Sequence, residues 1–200
     1  DFKVDFIICG AAKSGTTSLH YILDKHPEIC MSNGDTKNEL HFFCEENNFN
    51  KGIEWYQSFF DHCPKDSIKG QTAPSYLQDK DAPERIFKTF PNTKLVFIFR
   101  NPVDRAFSDY LTRVWNGKET ENFYEALMKE PERSNHDPFY RGSWAYTKRG
   151  MYADQIERFV KFFPRENMFF LLTDDLNDND QKELRRLQEF IGVDPRTLAI

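Results

Sequence analysis

Two stretches of this 200-residue chain share one pattern: a short apolar run, a turn, then a helical repeat. The first is FIICGAAKSGTTSLHYILDKHP, residues 6–27. Residues 5–9 read as a buried strand that breaks at Gly10. Leu19, Ile22 and Leu23 then recur at helical spacing between Thr16 and Lys25, and Pro27 stops the helix. The second is KLVFIFRNPVDRAFSDYLTRVW, residues 94–115. Leu95 to Phe99 is the clearest buried strand in the chain. After Arg100-Asn101-Pro102, the residues Val103, Ala106, Phe107, Tyr110, Leu111 and Val114 fall on one apolar helical stripe. Further helices are expected at 53–61, at 83–90 behind Pro83, from Met151 to Phe163 and from Asp180 to Ile191. Further strands are expected at 28–31 and from Met168 to Leu172. Strands alternating with helices predict an α/β, three-layer sandwich: a central parallel sheet covered on both faces, opened by a P-loop-like strand-turn-helix.

Two hundred residues suit one domain, taken as 1–200, with a full core. A formal net charge of -5 argues against a nucleic-acid binder, which carries a basic face. No apolar run approaches the roughly 20 residues of a membrane span. The cysteines Cys9, Cys30, Cys44 and Cys63 form no C-x-x-C pair, so no zinc site is expected. Cys9 and Cys30 read as buried thiols in a reducing compartment, although an even count leaves disulfides open.

In a parallel sheet, ligands sit beyond the carboxyl ends of the strands, where both marked loops fall. The first has Walker-like spacing at Gly10 and Gly15, yet Thr16 occupies the lysine position and the lysine has moved inside the loop as Lys13. Backbone N–H groups at a helix start make an anion seat, to which Lys13 adds charge and Thr16 and Thr17 add hydroxyls. The second loop offers Arg100 at a strand's end and Ser108 off the apolar stripe, which suits a second phosphate. Arg105 and Asp109 are expected on the helix surface, solvated or paired. Two anion seats in one crevice imply a ligand with two anionic ends.

KSGTTSL resembles the 5'-phosphosulfate loop of sulfotransferases that use 3'-phosphoadenosine 5'-phosphosulfate (PAPS). FRNPVDRAFSDY resembles their 3'-phosphate motif. NELHFF (38–43), GIEWY (52–56), APSYL (73–77), SDY (108–110) and RGMYADQIERFVKFFP (149–164) are similar, in order, to the heparan sulfate 3-O- and N-sulfotransferase group and its bacterial relatives. The resemblance implies the sulfotransferase fold and PAPS as sulfuryl donor. It also implies transfer to a hydroxyl or amine of a glycan or natural product, without a metal. Lys13 would neutralise the bridging oxygen. The amides and hydroxyls of Ser14, Gly15, Thr16, Thr17 and Ser18 would hold the 5'-phosphate, and Arg100 and Ser108 the 3'-phosphate. Glu39 matches the family's general base, with His41 beside it. Taken alone, Glu39 reads as one surface carboxylate among several.

Departures leave the acceptor open. Cys44 stands where the heparan sulfate 3-O enzymes carry an acidic residue, and Thr72 where they carry lysine. The family's Lys-Gly-rich closing loop does not occur before Ile200. The polar, aromatic stretch 116–150, with Trp144, Tyr146 and Lys148, is the expected acceptor wall. A competing kinase reading takes MFFLLTDD as a Walker B strand ending at Asp174. The setting expected is the cytoplasm for a bacterial chain, or the Golgi lumen for a trimmed eukaryotic one.

Overall fold

The computed structural model describes residues 2–33, 39–134, 144–178 and 180–198. The chain begins with β1 (Phe6–Gly10), α1 (Thr16–Asp24) and β2 (Ile29–Met31). After α2 (Glu46–Phe49) and α3 (Gly52–Gln57) come β3 (Ile68–Thr72), α4 (Ser75–Gln78) and α5 (Ala82–Thr89). The middle of the chain holds β4 (Lys94–Phe99), α6 (Pro102–Trp115), α7 (Phe123–Met128) and α8 (Glu130–Ser134). It closes with α9 (Tyr152–Val160), β5 (Met168–Leu172), α10 (Thr173–Asp178) and α11 (Asp180–Ile191).

The strands form one parallel sheet in the order β2-β3-β1-β4-β5. Alternation along each strand splits the core in two. Phe6, Ile8, Val96 and Ile98 pack on Leu19, Ile22 and Leu23 of α1 and on Leu184, Leu187 and Ile191 of α11. Ile7, Cys9, Leu95 and Phe97 face an aromatic layer that includes Phe42, Phe43, Tyr56, Tyr76 and Phe159. The predicted three-layer α/β architecture is therefore what forms, and most of the phenylalanines belong to its core.

Three expectations need correction. Strand β3, IKGQT, was not predicted, because lysine, glycine and glutamine do not read as a core strand. It nevertheless lies between β2 and β1. Its Gly70 has no room for a side chain: a Cβ there would sit 2.3 Å from Phe6 Cζ and 2.6 Å from Met31 Sδ. Its Gln71 is fully buried and satisfied, accepting from the Tyr56 hydroxyl and donating to the Tyr76 hydroxyl at 3.1 Å.

Helix α6 keeps only part of its predicted apolar stripe inside: Ala106 and Tyr110 pack with Ala126 and Tyr146, but the other four members face outward. Val103, Phe107, Leu111 and Val114 are 67%, 44%, 49% and 42% exposed, whereas Arg105 is fully buried and Asp109 nearly so. The Asp109 carboxylate gathers three arginines: Arg105 at 3.5 Å, Arg113 at 3.5 Å and Arg149 at 3.1 Å. Arg105 also donates to the Tyr146 carbonyl. Asp109 offsets one of these three positive charges, and its ion pairs hold charged side chains on a face that polarity alone assigns to solvent.

Cys30 is no free thiol; it forms a disulfide with Cys63, while Cys9 and Cys44 are buried thiols. No described helix is long and apolar enough to cross a membrane.

Candidate active site

β1 is flanked by β3 and β4, so the chain order reverses beside it and a crevice opens at its carboxyl end. A cavity of about 370 Å³ lies there, lined by Ala12, Lys13, Gly15, Thr16, Thr17, Glu39, Pro74 and Ser108. Loop 10–17, the Glu39 segment and α6 thus meet in one space. Ser14 and Ser18 do not line it: the Ser14 side chain is fully buried within the loop, and Ser18 is exposed. Arg100 does not line it either. It is half-buried just past the end of β4.

The loop's shape comes from unusual backbone angles. Gly15 adopts φ 98° and ψ 14°, begins α1, and supplies no side-chain cap. The first N–H groups of α1 therefore lack both an intrahelical acceptor and a capping side chain. Gly10 lies so close to α4 that a Cβ would meet Leu77 Cβ at 2.7 Å. Among the described residues, the non-glycine positions with positive φ are Lys13 at 69° and His41 at 46°. Such backbone is costly and persists where its surroundings fix it, often at functional sites. Both are residues singled out from the sequence.

Glu39 and His41 share one partner, Ser75, at the start of α4. Glu39 Oε2 lies 3.6 Å from His41 Nδ1, and that nitrogen lies 3.0 Å from Ser75 Oγ. The Ser75 hydroxyl and N–H also bond the Glu39 carboxylate. Burial pushes this carboxyl above its ordinary value; His41, Ser75 and Arg149 pull it only part of the way back. A carboxylate made more basic than usual and aimed into a crevice can accept a proton.

Three further residues escaped the sequence reading. Arg149 is held by Asp109 and places its charge near Glu39. Tyr152 donates its hydroxyl to the Arg100 carbonyl at 3.0 Å and stacks on Phe99 with ring centres 4.5 Å apart. Thr173 donates to the Ser14 carbonyl at 2.8 Å and lies 3.0 Å from that of Phe99, tying β5 to the anion loop. Motif 149–152 held the signal for two of these, but only as a string. Its contacts span about 40 and 52 positions and are invisible to local pattern.

A second cavity of about 340 Å³ is lined by Gln78, Lys148, Arg149, Met151, Asp154, Gln155 and Arg158, of which Arg149 acts on Glu39 by its charge. Of the expected acceptor wall, Lys148 borders it. Tyr146 is fully buried and bonds Glu119 at 2.8 Å, so it cannot face an acceptor. Trp144 packs against Arg113 and Arg133. Residues 135–143 of the wall lie outside the described residues. Asp174 is exposed in the first turn of α10 and does not line the anion cavity, against a Walker B role.

The features fit an anionic nucleotide: uncapped helix N–H groups, a lysine and a serine face the same cavity. Comparison with known proteins agrees. The family described as "Sulfotransferase domain" matches residues 3–198. Human heparan sulfate glucosamine 3-O-sulfotransferase 5 is 32% identical over 194 residues, 95% of this chain and 54% of that protein. Mouse heparan sulfate glucosamine 3-O-sulfotransferase 3B1 is 31% identical, over 94% of this chain and 45% of its own. The chain thus spans about half the length of these relatives. The crystal structure of a sulfotransferase from Alicyclobacillus acidocaldarius superposes with a TM-score of 0.88 at 30% identity, covering all of this chain and 85% of that one. A mouse sulfotransferase complexed with PAP shares the fold, with a TM-score of 0.65 at 18% identity over 98% of this chain and 60% of its own.

Proposed function

Since the chain belongs to the sulfotransferase domain family, we propose that residues 1–200 act as one transferase domain. The domain moves a sulfuryl group from PAPS to a hydroxyl or amine of a glycan or natural-product acceptor. One observation carries this reading: Lys13, Glu39 and Ser108, from three separate segments, line one cavity at the end of β1.

PAPS, when bound, supplies an activated sulfuryl group and leaves as adenosine 3',5'-bisphosphate. The residues divide the remaining work. The N–H groups at the start of α1, with Thr16 and Thr17, hold the 5'-phosphate end. Lys13, which lines the cavity, covers the oxygen on which charge develops. Arg100 and Ser108 hold the 3'-phosphate, and the Tyr152 hydroxyl fixes the Arg100 backbone through its carbonyl. Glu39 takes the acceptor's proton, while Ser75 fixes its carboxylate and His41 lies next to it. Arg149, anchored on Asp109, lends positive charge beside the same centre.

The acceptor enters past Lys148 and Arg149, the second cavity being linked to Glu39 through the Arg149 charge. The Cys30–Cys63 disulfide suits an oxidising compartment better than the reducing one read from the sequence. The test is a mass-spectrometric screen of glycan and small-molecule acceptors with PAPS. The expected products are heavier by one sulfuryl group and appear together with adenosine 3',5'-bisphosphate. Formation of neither product across hydroxyl and amine acceptors, in protein shown to bind the nucleotide, would leave a binding module rather than an enzyme.

A further inference from the structure

Cys30 and Cys63 stand 33 residues apart, so their pairing leaves no local motif. With His62 they form, among the described residues, the one group of histidine, cysteine and acidic side chains arranged to close on a metal ion. Both Sγ atoms and one imidazole nitrogen lie within 4.8 Å of one another. His62 Nε2 is 3.4 Å from Cys30 Sγ, 3.7 Å from Cys63 Sγ and 3.1 Å from the Met31 carbonyl. Cys30 is buried, Cys63 half-buried and His62 exposed, so the group opens to solvent on one side. It sits on the edge strand β2, two strands away from β1.

We propose that reduction of this disulfide converts the group into a site for a borderline-soft divalent cation, zinc by its chemistry. An external dithiol supplies two electrons and two protons, becomes a disulfide itself, and leaves Cys30 and Cys63 as thiols. Binding the cation releases those two protons. His62 stays neutral, with its hydrogen on Nδ1 and the Nε2 lone pair on the metal, giving up the Met31 carbonyl. Two thiolates and one imidazole fill three tetrahedral positions, and water takes the fourth. Two Zn–S bonds of about 2.3 Å at the tetrahedral angle place the sulfurs about 3.8 Å apart. The Cα atoms are already 5.7 Å apart, so side-chain rotation is enough to reach this arrangement.

The site has a structural consequence. Disulfide and metal each fasten β2 to the turn after Ser58–Phe60, where the Asn33 N–H also bonds the Phe59 carbonyl. Both states therefore hold the root of the segment that leads to Glu39.

Cobalt(II) is the probe, added to protein reduced with a dithiol and freed of it without air. The reduced protein should take up one equivalent, with a sulfur-to-cobalt charge-transfer band that zinc abolishes; the oxidised protein should show none. Cys63→Ser should lose the band. His62→Ala, at an exposed position, should fold normally and bind at least about tenfold more weakly. Cys9 and Cys44 remain in every variant as a thiol background. No band in reduced, folded wild type overturns the proposal, as does a band that survives Cys63→Ser. Unfolding upon reduction also overturns it, leaving the disulfide a structural bond only.

Discussion

Glu39 and His41 meet at 3.6 Å, Oε2 to Nδ1, and both lean on Ser75. Glu39 lines the cavity, and His41 does not. Glu39→Gln should therefore lower turnover by about 100-fold or more, the scale of a lost general base. Affinity for adenosine 3',5'-bisphosphate should barely change. Turnover close to wild type in steady-state assays would remove Glu39 from the mechanism and promote His41.

The same residue sets a pH dependence. Burial raises the Glu39 carboxyl above the ordinary glutamate range, and the base works only when ionised. Rate should fall as pH drops through that raised value, above the roughly 4.3 of a free glutamate. Stability runs the other way at this group. The folded state binds the proton more tightly, so the contribution is full below the unfolded value and is lost as pH rises through the folded one. Activity should hence disappear on mild acidification before the circular dichroism signal does. Simultaneous loss of both would show that acid acts through the fold.

Lys13 combines a charge with a left-handed backbone. Lys13→Ala and Lys13→Gly should both weaken PAPS binding and slow transfer, since the charge matters more as negative charge builds on the leaving oxygen. They should differ in stability. Glycine accepts positive φ without the roughly 1 kcal/mol strain that alanine keeps, so the glycine variant should melt no lower than the alanine one. A glycine variant clearly less stable than the alanine one would mean that the loop is not held as described.

Much of this was legible before the structure, and the failures share a cause. The four apolar strands and the long helices follow from period and burial, which local sequence carries. Loop 10–17 and the Arg100–Ser108 segment were readable because strand-turn-helix places them at the sheet's carboxyl edge. β3 was missed because Gln71 is buried through its bonds to Tyr56 and Tyr76, and Gly70 through the absence of a side chain. The inner face of α6 was only half read, through Ala106 and Tyr110, because hydropathy takes arginine and aspartate as solvent-facing, whereas Asp109 pairs with arginines from α6 itself and from position 149. Glu39 had no signal of its own; only the family likeness separated it from Glu45 and Glu46.

That network yields its own test. Asp109→Ala leaves Arg105, Arg113 and Arg149 together without their shared carboxylate, two of them with 11% side-chain exposure or less and Arg105 with none. Removing one member of a buried ionic group costs about 3–5 kcal/mol. Urea unfolding at neutral pH should show a loss of that order. A loss below about 1 kcal/mol, the range of a surface pair, would mean that water reaches the network.

The last prediction separates a PAPS enzyme from a kinase and rests on the second anion seat. ATP has no 3'-phosphate, so a kinase has no use for Arg100 and Ser108 there. A PAPS enzyme needs both, and charge-assisted hydrogen bonds contribute roughly 1.5–3 kcal/mol each. At 1.4 kcal/mol per decade, adenosine 3',5'-bisphosphate should bind at least about tenfold more tightly than adenosine 5'-monophosphate. Arg100 follows β4 directly, and its backbone carbonyl is fixed by the Tyr152 hydroxyl. Arg100→Ala should abolish most of the preference and leave monophosphate affinity nearly constant. Tyr152→Phe, which frees that carbonyl, should reduce the preference less. Calorimetric titration of both nucleotides at one fixed salt concentration gives the ratio directly, and equal binding by the wild-type protein would sink the PAPS reading.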